Sequence, residues 1–309
     1  MDISTLHAFI AVARYQSFSK ASESLFITQP AISKRVAALE IELGTQLFNR
    51  IARQISLTDA GKQLLPKAQE VVNQAEDMQR YASNLKHDIS GDLSVAIAHH
   101  VGLHRMPPIL KQFNQRHPKV KLDIRFEDSD KAFMGVQQGD IEFAVITLPS
   151  VLPDRLIKQV IWQDDLNFVV GVDHPLVNSG LKRHKAEDLI KQSAPTSPER
   201  LKQVSLKMLS EYPCVLTSQD TETHQIIHRK FQQQGLELDV QMQTNNLETL
   251  KMLTAAGLGW SVLPKTMNDD SIIVLNTQES LSRELGLVIH NKRTLSKAAH
   301  VLKTLIEKG

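Results

Sequence analysis

The chain has 309 residues, 41% of them hydrophobic and 23% charged, with 36 lysines and arginines against 34 aspartates and glutamates. That length allows two or three domains with buried cores, and the composition excludes an intrinsically disordered chain. A net charge of +2 excludes a polybasic binder of the histone type, so any nucleic-acid surface has to be local.

A single cysteine, Cys214, excludes an intramolecular disulfide and a cysteine-rich zinc module, and it fits a reducing compartment. The opening residues, MDISTLHAFIAVARYQS, lack the basic start, apolar run and small-residue cleavage site of a secretory signal. Charges also interrupt every hydrophobic stretch before the roughly 18 apolar residues that a membrane helix needs. A cytoplasmic protein with no membrane partner is expected.

Ser4 precedes Leu6, Phe9, Ile10 and Ala13, a helical stripe with a hydroxyl cap at its start. Residues 16–18 break it, and Ser19 is the expected cap of a short second helix carrying Ala21 and Leu25. A third helix begins after Thr28, with Pro30 in its first turn, where a missing N–H costs nothing. Its Ile32, Val36, Leu39 and Leu43 follow a 4,3,4 spacing that predicts a core face, and Gly44 ends it.

The opposite face carries Gln29, Pro30, Ser33, Lys34 and Ala37, with no acid until Glu40. Glutamine can pair with an adenine edge, serine with several edges, and lysine with guanine or phosphate, so this face suits a major groove. Short helices joined by tight turns describe a helix-turn-helix. A helical bundle with a solvated polar face shares that periodicity, but local charge favours DNA. From Arg14 to Arg53 six cations (Arg14, Lys20, Lys34, Arg35, Arg50, Arg53) face three acids (Glu23, Glu40, Glu42), a local +3. Residues 48–50 and 54–57 read as two short strands around Arg53, a wing whose arginines can grip phosphate or the minor groove.

The run from residue 18 to 60, FSKASESLFITQPAISKRVAALEIELGTQLFNRIARQISLTDA, resembles the DNA-binding domain of LysR-type transcriptional regulators almost position for position. The residues that carry the resemblance are Ala21, the 28–33 stretch TQPAIS, Leu39-Glu40 with Leu43-Gly44, Leu47-Phe48 with Arg50, and Leu57-Thr58 with Ala60-Gly61. It implies a DNA-binding regulator, not an enzyme, and no cofactor. It also implies that Gln29, Pro30, Ser33 and Lys34 face bases or nearby phosphates of double-stranded DNA, with Arg50 and Arg53 as wing contacts. Lys34 stands where the family often has arginine, which keeps the charge but removes bidentate guanine reading.

Thr58-Asp59 caps a long helix in which Leu64, Ala68, Val71, Ala75, Met78, Ala82 and Leu85 alternate 4,3, the spacing of a coiled-coil seam. Pro66 should kink it near its start, and residues 88–91 end it. An amphipathic helix lying on its own domain would share the pattern. In the resembled family this helix pairs two subunits, which implies a homodimer reading an inverted-repeat operator, a homotetramer through the effector lobes, and contact with RNA polymerase.

Beyond residue 90 short apolar runs alternate with helical stretches, an α/β texture. Strands are expected at 93–98, 120–126, 143–146, 166–170, 214–216, 238–242, 260–264 and 285–289, with a final helix after them. This half is similar to the family's effector domain, a two-lobed, periplasmic-binding-protein-like fold with two crossovers, here expected near 162–166 and 263–267. The domain organisation so implied is a winged helix-turn-helix at 1–60, a linker and dimerisation helix at 58–88, and an effector-binding domain at 91–309. Lobe I takes 91–163 and 267–309, and lobe II takes 164–266. Residues 180–210 read as a surface insertion with a helical arm on each side.

In open α/β lobes ligands bind beyond the carboxyl ends of strands. Residues 98–101, Thr147, residues 217–221 and residues 244–246 occupy such ends. His99, His100, Thr147, Thr217, Ser218 and Asn245 are therefore the expected effector-binding residues, suited to a small polar anion such as a carboxylate. His99-His100 replaces the serine or threonine usual in the family. An alternative is a metal-responsive regulator, since His100 and His104, and His224 and His228, are each four apart and could hold Zn²⁺ or Ni²⁺. No Gly-x-Ser-x-Gly, P-loop or Gly-x-Gly-x-x-Gly pattern occurs, and no nucleophile is paired with a base. Cys214, just ahead of an apolar strand, reads as a small core residue.

Overall fold

A computed structural model describes residues 1–51, 54–85, 88–178 and 203–309. The chain divides into two units, Met1–Ile89 with Lys292–Lys297, and Ser90–Asn291 with Ala298–Gly309. Arg53 and residues 180–202 of the expected insertion lie outside the described residues, as does the side chain of Arg50.

In the first unit α1 (Ile3–Tyr15) is capped by Asp2, whose carboxylate accepts from the Ser4 N–H. Ser4 is therefore already helical, and an acid serves the cap better because it also meets the positive helix end. Helix α2 (Phe18–Ser24) is capped by Ser17, which accepts from the Lys20 N–H, so the cap precedes the expected Ser19. Helix α3 (Gln29–Leu43) begins after Thr28, whose hydroxyl makes no cap bond, and closes on Gly44 at φ +65, a left-handed conformation that favours glycine. Ile32, Val36 and Leu39 are buried, whereas Leu43 is exposed at the helix end.

Strands β1 (Phe48–Ile51) and β2 (Gln54–Leu57) form the wing, with Phe48 opposite Leu57. Glu40 fastens it to α3, its carboxylate accepting from the N–H groups of Leu47 at 2.8 Å and Phe48 at 3.3 Å. Phe48 packs edge-on against Phe9 and Phe18 in the core of this unit. Helix α4 (Asp59–Asn84) starts at the Thr58 hydroxyl and continues through Pro66. Its Leu64, Ala68 and Val72 pack into the unit's own core, while Met78 and Leu85 stand 70% and 71% exposed. The expected seam thus changes partner midway: its first two members belong to the domain core, and the bare apolar stripe runs from Val71.

In the second unit β3 (Gly91–Ile97) is followed by α5 (His99–His104) and α6 (Met106–Arg116). Then come β4 (Val120–Phe126), α7 (Ser129–Gln138) and β5 (Phe143–Thr147), with β3 parallel to both β4 and β5. Every residue of β5 is buried, as a covered central strand requires. Strand β6 (Leu156–Gly171) is far longer than the expected 166–170. Its first half, LIKQVIWQDD, breaks short apolar runs with polar pairs at a sheet edge, which lacks the continuous apolar run of a covered strand.

The chain continues through α8 (Pro175–Asn178), α9 (Leu206–Ser210), β7 (Cys214–Leu216), α10 (Glu222–Gln233) and β8 (Val240–Gln243). After α11 (Leu247–Ala255) come β9 (Ser261–Pro264), β10 (Ile272–Val274), β11 (Leu281–His290) and α12 (Lys297–Lys308). Strands β7 and β8 pair in parallel, and Phe231 stacks on Trp260 at 5.5 Å beneath them.

Two strands run through both halves of this unit. β11 lies antiparallel to β6 along its whole length, from Leu281 opposite Leu166 to His290 opposite Leu156. Alongside them, β5 begins only at Leu285, and β9 and β10 pair with β6 only from Leu166 onward. Because β10 stays beside the distal half of β6, the chain returns within β11, not at residues 263–267 as the sequence suggested. The register shifts between Leu285 and Gly286, where a Cβ on Gly286 would sit 2.0 Å from the Gln159 carbonyl oxygen. Only glycine permits that approach. Among the described residues no helix is long and apolar enough to cross a membrane.

Candidate DNA-reading face and ligand cleft

Gln29 and Ser33, and Pro30 and Lys34, are each one turn apart on α3, so the four share one face. Gln29, Pro30 and Lys34 are exposed and Ser33 is half-buried. The fold removes Glu40 from this face by committing its carboxylate to the wing, which leaves a polar and cationic surface. Arg50 stands in β1 opposite Ile55.

A cavity of about 460 Å³ opens in the second unit, within the roughly 300–1,000 Å³ usual for small-molecule sites. His99, His100, Thr147, Thr217 and Asn245 line it. Ser218 stands behind them, its N–H donating to the Asn245 side-chain oxygen at 3.0 Å. Sequence reasoning gathered these residues because each follows a strand.

It missed Arg283, a cavity-lining cation only 4% exposed. Its Nε donates to Asp164 at 2.9 Å and its Nη1 to the Thr223 hydroxyl at 2.8 Å, while Nη2 is buried with no hydrogen-bond partner. Arg283 and Asp164 are opposite each other in the β11–β6 register, a relation across 119 residues that no local pattern carries. His100 adds a second buried, unpartnered nitrogen, Nε2. Burial first, and then the nearby Arg283 charge, hold its pKa well below the usual histidine value, so it is neutral at pH 7.

Glu127, Asp128, Asp130, Asp220 and Glu222 also line the cavity; of these acids only Asp220 lay in a segment expected there, 217–221, and none was counted among the effector-binding residues. Burial first, and then the Asp220 charge, raises the Asp130 carboxyl above its ordinary value. The Glu222 carboxylate accepts from the Ser150 N–H at 3.1 Å and from Arg229 at 3.1 Å. Asp128 accepts from the Asn245 amide at 3.4 Å.

The four spaced histidines are divided among different duties. His104 lies 3.3 Å from Glu248, His224 donates from Nδ1 to the Thr217 carbonyl at 2.7 Å, and His228 stacks on His224. Of the four, only His100 lines the cavity. Among the described residues no three histidine, cysteine or acidic side chains gather as a metal site. Cys214 is fully buried, its thiol donates to the Asp239 carbonyl, and burial chiefly pushes its pKa up to about 12, so it is an unreactive core residue.

Comparison with known proteins adds three kinds of likeness. The family model described as a bacterial regulatory helix-turn-helix protein of the lysR family matches residues 3–62, and that of the LysR substrate binding domain matches residues 86–198 and 193–309. An uncharacterized HTH-type transcriptional regulator in the ibpB-leuC intergenic region of Azotobacter vinelandii is 53% identical over 108 residues, 35% of this chain and 75% of that protein. The uncharacterized HTH-type transcriptional regulator YcgK of Bacillus subtilis is 27% identical over 99% of this chain and 94% of its own. Among solved structures, a full-length OxyR variant from Pseudomonas aeruginosa is similar in fold, with a TM-score of 0.67 at 21% identity over 99% of this chain and 94% of that one.

Proposed function

Because the chain belongs to the LysR family of DNA-binding transcriptional regulators with a substrate-binding domain, we propose that its DNA contacts are set by a small effector bearing an anionic group, held in the cleft. The observation that carries this is Arg283, a buried residue of the cavity wall whose Nη2 has no hydrogen-bond partner among the described residues. A buried guanidinium N–H without an acceptor costs free energy that an incoming carboxylate oxygen recovers. His99, His100, Thr147, Thr217 and Asn245 complete the polar wall, and Ser218 positions Asn245 through its backbone bond.

The division into a winged domain at 1–60, a linker helix at 58–88 and an effector domain at 91–309 belongs to the same proposal. So does the assignment of two lobes joined by β6 and β11, with the second crossing moved into β11. Gln29, Pro30, Ser33 and Lys34 would read base edges or phosphates, and Arg50 and Arg53 would hold the backbone from the wing. The bare stripe on α4 supports a homodimer, whose two recognition helices match the halves of an inverted repeat. A homotetramer through the effector lobes, contact with RNA polymerase and a cytoplasmic location complete the reading. The effector acts by population shift, and only as far as its affinities for the two assemblies differ.

Thermal unfolding of the full chain against small carboxylates, inorganic oxyanions, Zn²⁺ and Ni²⁺ tests this. A ligand of the folded state raises the midpoint with its concentration relative to Kd. A shift by an anion that Thr217→Val and His100→Asn weaken supports the reading. A shift by metal alone would replace it with metal sensing, for which the divided histidines give little support.

A further inference from the structure

The cleft carries more acid than an effector with anionic groups alone would tolerate. Around the single buried guanidinium stand five carboxyl groups, those of Glu127, Asp128, Asp130, Asp220 and Glu222. Two of them have partners that account for their charge or place: Glu222 takes Arg229 and Ser150, and Asp128 takes the Asn245 amide. Asp130 and Asp220, both exposed at the cavity wall, have no such partner among the described residues, and the Asp220 charge works against ionisation of Asp130. Asp130 comes from the start of α7, after β4, and Asp220 from the turn before α10, after β7. A pair of like charges is thus assembled from separate parts of the fold at the wall of a cavity.

We propose that the effector is a small dipolar molecule of the amino-acid class, its carboxylate on Arg283 and His100 and its ammonium on the acidic wall of Asp130 and Asp220. This rests on the proposed cleft reading and extends it to the ligand's other end. A plain dicarboxylate satisfies Arg283 but sets its second charge among the acids. A diamine reverses the fault, leaving the Arg283 Nη2 unpartnered and adding a cation beside it. A divalent ion finds no group of three ligands among the described residues. An ammonium between Asp130 and Asp220 relieves the repulsion of the two carboxylates and offers each its own N–H donor. Glu127 and Asp128 add negative potential on the same side.

The test is titration calorimetry and thermal unfolding of the full chain with the twenty common L-amino acids. Each one that binds is followed by its deaminated carboxylic acid and its decarboxylated amine. The expected result is that at least one amino acid binds and that both single-ended analogues bind at least tenfold more weakly. Asp130→Asn with Asp220→Asn should remove that tenfold advantage over the carboxylic acid, and His100→Asn should weaken both ligands. Both variants keep the Arg283–Asp164 pair, and their ligand-free melting curves check that the fold is retained.

A carboxylic acid bound as tightly as its amino acid overturns the dipolar inference and leaves the cleft reading standing. Silence from all twenty amino acids overturns it equally, and the carboxylate and oxyanion series then decides the cleft. An amino acid whose affinity ignores all three substitutions binds elsewhere and overturns both.

Discussion

Replacing Arg283 by methionine should destabilise the second unit by about 3 kcal/mol, and replacing its partner as well should recover most of that loss. Side chains of Arg283 and Asp164 are each 3% exposed and bonded at 2.9 Å. Removing one member of such a pair typically costs about 3–5 kcal/mol, because the other is left charged and dry. The loss falls at the low end because Arg105, 31% exposed and 3.8 Å from Asp164, still compensates the carboxylate. The Thr223 hydroxyl loses its donor too, worth about 1 kcal/mol. Asp164→Asn should cost a similar amount, and the double variant Arg283→Met with Asp164→Leu should lie within about 1 kcal/mol of the parent, since apolar replacement of a whole buried pair is close to neutral. Urea unfolding followed by tryptophan fluorescence reads this unit alone, because the chain's two tryptophans, Trp162 and Trp260, both lie in it. Single-variant losses below about 1 kcal/mol, or losses that simply add in the double variant, refute the argument that burial makes this pair interdependent.

On DNA, Gln29→Ala should narrow the gap between operator and random sequence, whereas Arg53→Ala should weaken both alike and flatten the salt dependence; fluorescence anisotropy at several salt concentrations separates them. Equal losses on the two DNAs for Gln29→Ala would remove its base-reading role. Met78→Lys, in the bare stripe of α4, should shift the protein toward monomers in sedimentation and cut operator affinity at least tenfold, leaving the melting of the winged domain unchanged. The raised Asp130 pKa also has a signed consequence. The folded state holds a proton that the unfolded state releases first, so this group costs stability as pH rises from its unfolded pKa through its higher folded one. Relative to Asp130→Asn, the parent's melting temperature should therefore fall as pH rises above about 4, the ordinary aspartate value, and a difference that does not change with pH would remove the reading of Asp220 as a repelling neighbour.

What the sequence disclosed follows from how far apart the interacting residues lie. The helix-turn-helix was legible because its stripes, its breaks and Gly44 act within a few residues, and even the misplaced caps at Ser4 and Ser19 were wrong by only two positions. The core face of α3 was read correctly up to Leu43, whose exposure reflects a helix end where no neighbour remains to cover it. The seam of α4 misled because one stripe serves two partners, its own domain up to Val72 and open surface beyond. In the second unit the strand ends were legible and brought five of six expected residues to the cleft. Arg283 and every acid but Asp220, which falls in the expected segment 217–221, were not, because a charged residue in a strand or loop is ordinarily solvated. Its inward setting depends on register with a strand 119 residues away. The first half of β6 stayed hidden for a related reason, since a half-exposed edge strand has no continuous apolar run.

These placements divide the work inside the cleft on the reading proposed for it. Arg283 stands on β11 opposite Asp164 on β6, where the two strands pass from one half of the unit to the other, and a dry ion pair holds it in place whether or not a ligand is present. A ligand's carboxylate meets there a donor that is already oriented, so this end supplies affinity at little reorganisation cost. Asp130 and Asp220 belong to α7 and to the turn before α10, and their mutual distance changes with any relative motion of those elements. Two carboxylates repel as they approach unless a proton or another cation stands between them, so an ammonium there stabilises the closed arrangement over the open one. Only such a difference in affinity moves a conformational equilibrium. On the proposed reading, the anionic end of the effector would therefore hold it in the cleft, and the cationic end would carry the signal.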